Sequence, residues 1–202
     1  MFIEIKASKN QLSRRKLTHG VGVNDAEYIV QSNISGDRAD CPYYLKWKDM
    51  IKRCYSSAYQ DKHQTYKGCS VSCEWLVFSN FKKWMAKQNW KGKVLDKDLL
   101  FQGNKIYSSK NCLFVTQEIN KLLISRKKSK GKYPQGVCFD KAKGRFKAQL
   151  SIGGKVINIG FFGSEIDAFT EYKKAKYKHI TDIAVQQIEP IKTALLNYKI
   201  VE

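Results

Sequence analysis

The stretch Leu95–Leu123, LDKDLLFQGNKIYSSKNCLFVTQEINKLL, decides how the rest of this chain is read. It has the form of two short strands followed by a helix. Asp96 stands at the front, Gly103 and Asn104 mark the turn, Asn111 lies in the middle and Asn120 falls in the helix. Between Asp96 and Asp98 sits Lys97, whose side chain has a reference pKa of ~10.4 and is a cation at neutral pH unless deeply desolvated. The three histidines, His19, His63 and His179, all lie outside the stretch.

Upstream, Tyr44, Trp47, Met50, Ile51 and Cys54 recur at spacings of three and four. That predicts an amphipathic helix over 43–60 with this stripe in the core and Lys46, Lys48, Lys52 and Arg53 mostly off it. YKGCSVSC, residues 66–73, predicts a glycine turn and a short strand. Glu74 to Trp90 predicts a second helix with Trp75, Phe78, Phe81, Trp84 and Met85 on one side. Helical spacing marks these rings as core rather than as a platform for stacking bases. Residues 1–40 predict a short strand or an extended arm. Its basic start (Lys6, Lys9, Arg14, Arg15, Lys16) is either a phosphate-contacting arm or a frayed terminus.

Downstream, SRKKSKGKYP (125–134) predicts a basic linker. Lys127, Lys128, Lys130 and Lys132 would neutralise phosphates along a groove, or serve a flexible tether. QGVCFD, GRFKAQLSI and KVINIGFF are three short β-rich segments separated by AKG and GG. SEIDAFTEYKKAKYKHITDIA opens with Ser164 as N-cap and with Glu165 and Asp167 in the first turn. Ala168, Tyr172, Ala175, His179 and Ile183 are spaced to face a sheet. The prediction is a three-stranded antiparallel sheet packed on one helix, then a short terminal helix with Pro190 at its start. Alternation turns Phe146, Ala148 and Leu150 inward and Arg145, Lys147 and Gln149 outward, with Asn158 on the same outward side and Lys155 at the turn.

A chain of 202 residues with 43% hydrophobic content has enough apolar matter for one ordinary domain or two to three small ones. Its net charge of +19, from 37 Lys+Arg against 18 Asp+Glu, calls for a polyanionic partner, and nucleic acid is the commonest. No apolar run approaches the ~20 residues that span a bilayer. MFIEIKASKNQLSRRK lacks the apolar core of a signal peptide. We therefore expect a soluble, cytoplasmic protein, nucleoid-associated in a bacterial cell, with no membrane partner. The six cysteines are expected as small buried hydrophobes in an intracellular chain. A zinc site from Cys69 and Cys73 with Cys54 or His63 is the alternative, though it lacks two tight pairs.

Four blocks in order carry a family resemblance. They are CPYYLKWKDMIKRCY (41–55), YKGCSVSCEWLVFSNFKKWM (66–85), residues 95–120, and YPQGVCFDKAKGRFKAQL with GGKVINIGFFGSEIDAFTEYKKAK (133–176). Together they resemble the phage-encoded HNH homing endonucleases that carry a C-terminal Apetala-type DNA-binding domain. The resemblance implies an α+β chain with a 1–40 arm, a helical and ββα HNH-like domain over 41–124, the 125–134 linker, a sheet domain over 135–185 and a 186–202 tail. It also implies double-stranded DNA as partner, Mg²⁺ on Asp96 and Asn120 if DNA is cut, and a phage or mobile-element origin. Lys97 stands where the family places its histidine base, so the HNH motif is degenerate here.

Three functions follow as expectations. In the first, the protein binds a specific duplex sequence without efficient cleavage, as a monomer or homodimer, and acts by occupancy like a transcriptional repressor. It needs no cofactor for binding. Arg145, Lys147, Gln149 and Asn158 would read bases. In the second it is an Mg²⁺-dependent nicking endonuclease with Asp98 as a weak base. In the third it binds RNA.

Overall fold

A computed structural model describes residues 2–34, 37–123 and 132–200. The chain is mixed α+β and divides into two units, Met1–Phe114 and Val115–Glu202. Among the described residues no helix is long and apolar enough to cross a membrane.

The first unit opens with a capped turn of helix, α1 (Lys9–Ser13). The Ser8 hydroxyl accepts from the Gln11 N–H, and the Gln11 side chain accepts from the Ser8 N–H at 2.8 Å. Arg15, from the basic start of the chain, turns inward and donates to the carbonyls of Asn24, Ala26 and Tyr28. That fastens a segment whose Ala26, Tyr28 and Val30 enter the core. This part of the stretch expected as an arm is therefore packed. β1 (Gln31–Ile34) and β2 (Asp37–Asp40) form an antiparallel pair.

Pro42 starts α2 (Pro42–Tyr55), where its missing N–H costs no hydrogen bond. The buried residues of α2 are Tyr44, Trp47, Met50, Ile51 and Cys54, the stripe expected from their spacing. α3 (Ser57–Lys62) follows under a Ser56 cap. The next helix is shorter than expected: Cys73–Leu76 is a 3₁₀ turn and α4 spans Phe78–Ala86. The break falls at Val77 because Val23 bridges it. The Val23 N–H donates to the Leu76 carbonyl at 2.8 Å, and the Phe78 N–H donates to the Val23 carbonyl at 2.9 Å. Both groups are thereby withdrawn from a continuous helical ladder. Trp75, Phe78, Phe81 and Met85 are buried, and the Trp47 indole N–H donates to the Trp75 carbonyl at 2.7 Å.

Four short strands complete this region: β3 (Ser70–Val71), β4 (Val94–Asp96), β5 (Ile106–Tyr107) and β6 (Leu113–Val115). β3 pairs in parallel with β5, and β4 pairs with β6. The deciding stretch thus holds three strand segments, the middle one captured by β3.

The second unit carries α5 (Gln117–Leu123), then β7 (Val137–Asp140), β8 (Arg145–Ile152) and β9 (Lys155–Phe162) in an antiparallel sheet of that order. Gly153 and Gly154, at φ 58° and 83°, form the two-residue turn between β8 and β9. α6 (Glu165–Ala184) packs on the sheet, and α7 (Ile191–Leu196) starts after Pro190. Val137, Ala148, Leu150, Ala168, Phe169 and Tyr172 form the core. Gly136 is needed there: its φ is +83°, and a Cβ would lie 2.2 Å from the Tyr172 ring. The buried face of α6 runs through Ala168, Phe169, Tyr172, Lys176, Ile180 and Ala184; of the expected row, Ala168 and Tyr172 are buried, Ala175 packs half-buried against the core, and His179 and Ile183 are half-buried. Helical spacing fits both rows, and the buried one includes a lysine.

Candidate nucleic-acid interface

Lys97 is a buried polar residue of the first unit. It lies at the end of β4 and is only 5% exposed. Its ammonium donates to both carboxylate oxygens of Asp98 and to the Asn104 carbonyl, each at 2.7 Å. An ammonium has three N–H groups, and here three acceptors meet it. Asn104 answers from the other side of the loop. Its amide donates to the carbonyls of Lys97 at 2.9 Å and Ile106 at 2.8 Å, and its oxygen accepts from the Asn111 amide at 3.2 Å. Asn111 thus ties the turn to the chain that follows it.

Lys97 and Asp98 are committed to each other in this arrangement. Lys97 is a donor on all sides. Asp98, the alternative base, is half-exposed but faces the ammonium with both oxygens. Asp96, the expected Mg²⁺ ligand, accepts from the N–H groups of Asp98 at 2.9 Å and Leu99 at 2.7 Å through one oxygen. Burial pushes its carboxyl above the usual range, against the pull of those two N–H groups. Asn120, the expected second ligand, is half-buried on α5 in the second unit. Among the described residues no group of three His, Cys, Asp or Glu side chains is placed to hold a metal. One partly committed carboxylate next to a lysine is a poor seat for a dication.

Cys41, Cys54, Cys69 and Cys112 are buried, Cys138 is half-buried and Cys73 is exposed. Burial pushes the Cys54 and Cys112 thiols up to about 12, which makes them inert packing groups. A cavity of about 590 Å³ in the first unit is rimmed by Glu4, Asp25 and Glu27. Lys82 at its edge is already paired with Glu4 at 2.6 Å. Lys83 also lines it, so its rim carries both signs of charge.

The second unit presents a different arrangement. Cross-strand partners share a face of an antiparallel sheet. The pairs Val137–Ala148 and Phe146–Phe162 turn inward. Asp140–Arg145, Cys138–Lys147, Lys147–Phe161 and Gln149–Asn158 turn outward. A bulge between Ala148 and Gln149 adds Ile159 to the β9 side, which packs toward the core and keeps Asn158 opposite Gln149. Arg145, Lys147, Gln149 and Asn158 therefore lie together on one face, while Lys155, paired with the core-packed Ile152, is exposed at the hairpin end of the sheet on the other face. Among the described residues Arg145, Lys147 and Lys155 have no carboxylate within ion-pair distance.

Phe161 and Lys143 join this face and were missed in the sequence. The Lys143 ammonium sits 3.7 Å from the Phe161 ring centre, a cation–π contact. Strict alternation from the inward Phe162 would have found Phe161. Lys132 is exposed, 5.7 Å from the Tyr133 ring. Lys127, Lys128 and Lys130 lie outside the described residues. Comparison with protein-family models, with curated proteins and with solved structures finds no match for this chain.

Proposed function

We propose that this chain is a sequence-specific double-stranded DNA-binding protein that occupies its site without cutting it, in the manner of a repressor. In this reading the frame is that of an HNH homing endonuclease with an Apetala-type C-terminal domain. The observation that carries it is the outer face of the β7–β9 sheet, where four open hydrogen-bonding side chains stand on paired strands in a chain of net charge +19. A small sheet fits the major groove. Arg145 and Lys147 suit guanine, and Gln149 and Asn158 suit adenine, each through paired hydrogen bonds. Lys155 and Lys132 suit the flanking phosphates.

The failure to cut follows from Lys97. A hydrolytic step needs a group that takes a proton from water. All three N–H directions of the Lys97 side chain are committed to Asp98 and Asn104, so it does not face a water as a proton acceptor. It serves as a brace for the loop instead.

The test is a supercoiled plasmid carrying a duplex selected by the full chain from a randomised pool, incubated with Mg²⁺. The plasmid should be retarded and remain supercoiled. Nicking that disappears in Asp96→Ala would overturn the non-cutting reading. Structured RNA that outcompetes the selected duplex would overturn the choice of DNA.

A further inference from the structure

The loop that Lys97 braces carries an exposed aromatic ring. Residues 97–104 are tied at both ends. Asp96 holds the N–H groups of Asp98 and Leu99, and Lys97 and Asn104 cross-link the two arms. Leu99 is buried and anchors the loop from beneath. At the tip the Asn104 N–H donates to the Phe101 carbonyl at 3.0 Å, and Gly103, at φ +83°, completes the turn. Phe101, held at the head of this turn, is 58% exposed. Lys105 and Lys110 on either side of the following strand are exposed, and the Lys105 ammonium is steadied by the Thr65 carbonyl at 2.9 Å.

Phe101 on its stiff tip, even together with the exposed Ile106 of β5, is too little for a protein interface, which buries about 800 Å² on each partner. It is enough for a base-pair step, because wedges that kink DNA are single apolar side chains with cations on the neighbouring phosphates. We propose that Phe101 is such a wedge: it enters one step of duplex DNA and unstacks it, while Lys105 and Lys110 contact the flanking phosphates. Flexible TA and CA steps are the ones that yield most easily. The proposal rests on the duplex-binding reading above and adds a second contact made by the first unit. The Lys97 brace gives the wedge its stiffness, because a ring on a loose loop would fold back against the protein.

The experiment uses the full chain and a duplex it selects from a randomised pool, with 2-aminopurine walked along the site and a donor–acceptor dye pair on the ends. Binding should raise 2-aminopurine fluorescence at one step and shorten the end-to-end distance. Phe101→Ala should lose both signals while still retarding the duplex and melting at the same temperature as the parent. Phe101→Leu should keep both, since leucine also serves as a wedge. A fluorescence rise and a bend that persist in Phe101→Ala, or that are absent in the parent while the duplex is bound, would overturn the wedge alone. Recovery of no duplex from the pool would overturn the duplex-binding reading and the wedge with it.

Discussion

The loop around Lys97 and the outer face of the β7–β9 sheet are both built from cations and amides, yet they dispose of charge in opposite ways. Lys97 is buried, and its ammonium meets three acceptors at 2.7 Å. Arg145 and Lys155 are exposed and Lys147 is half-exposed, with no carboxylate partner among the described residues. A buried ammonium without its acceptors would bear a desolvation penalty with nothing in return, so Lys97 is fixed where it is. A solvated cation with no internal partner keeps its full attraction for a polyanion and displaces counterions when it meets one. Lysines that look alike in composition thus divide into internal braces and available cations. Only the second kind contributes to the +19 surplus as a partner sees it.

The largest effect should come from removing the brace. Lys97→Met keeps the aliphatic volume and leaves the Asn104 carbonyl and the Asp98 carboxylate without their donor. Removing charge-assisted hydrogen bonds at a buried site should lower stability by about 2–3 kcal/mol, read by denaturant unfolding. Affinity for a selected duplex should fall no further than it does in Phe101→Ala, since the brace reaches the DNA through that loop alone. A variant as stable as the parent would break the contrast, because Lys97 would then be no more structural than a surface lysine.

A smaller effect belongs to the sheet. Lys147→Ala should leave stability within about 0.5 kcal/mol, as for most exposed positions. It should weaken binding to the selected duplex by about 1–2 kcal/mol and relax preference at one base position, read by binding to a panel of single-base variants. Equal weakening on every sequence would turn Lys147 into a phosphate ligand and move base readout to its neighbours.

Much of this was legible in the sequence where local periodicity governs. The stripe Tyr44, Trp47, Met50, Ile51, Cys54 fell on the buried face of α2 because a helix repeats every 3.6 residues whatever surrounds it. The outward set Arg145, Lys147, Gln149 followed from strand alternation in the same way. What was not legible depends on partners distant in the chain. The helix break at Val77 is made by Val23, far upstream, and no residue near Val77 announces it. The bulge that keeps Asn158 opposite Gln149 requires knowing that Ile159 turns toward the core. Lys176 lies on the buried face of α6, where a charged residue type argues against itself, and burial lowers its pKa. Lys97 is the sharpest case. The sequence shows a cation in the place expected for a base; that the cation turns inward and meets Asn104, seven residues on, is a property of the folded loop.

The most direct measurement is the salt dependence of binding to one selected duplex, compared among the parent, Lys97→Met and the triple variant Arg145→Ala, Lys147→Ala, Lys155→Ala. Lys155 withdrawn from a phosphate takes about 0.9 from the slope of log affinity against log salt, and Arg145 and Lys147, whose charge also displaces counterions from the groove, lower it further. The triple variant should give a clearly shallower slope, and Lys97→Met should give the slope of the parent. A triple variant with the parent's slope, or a Lys97→Met slope as shallow as that expected of the triple variant, would contradict the division of charge proposed for this protein.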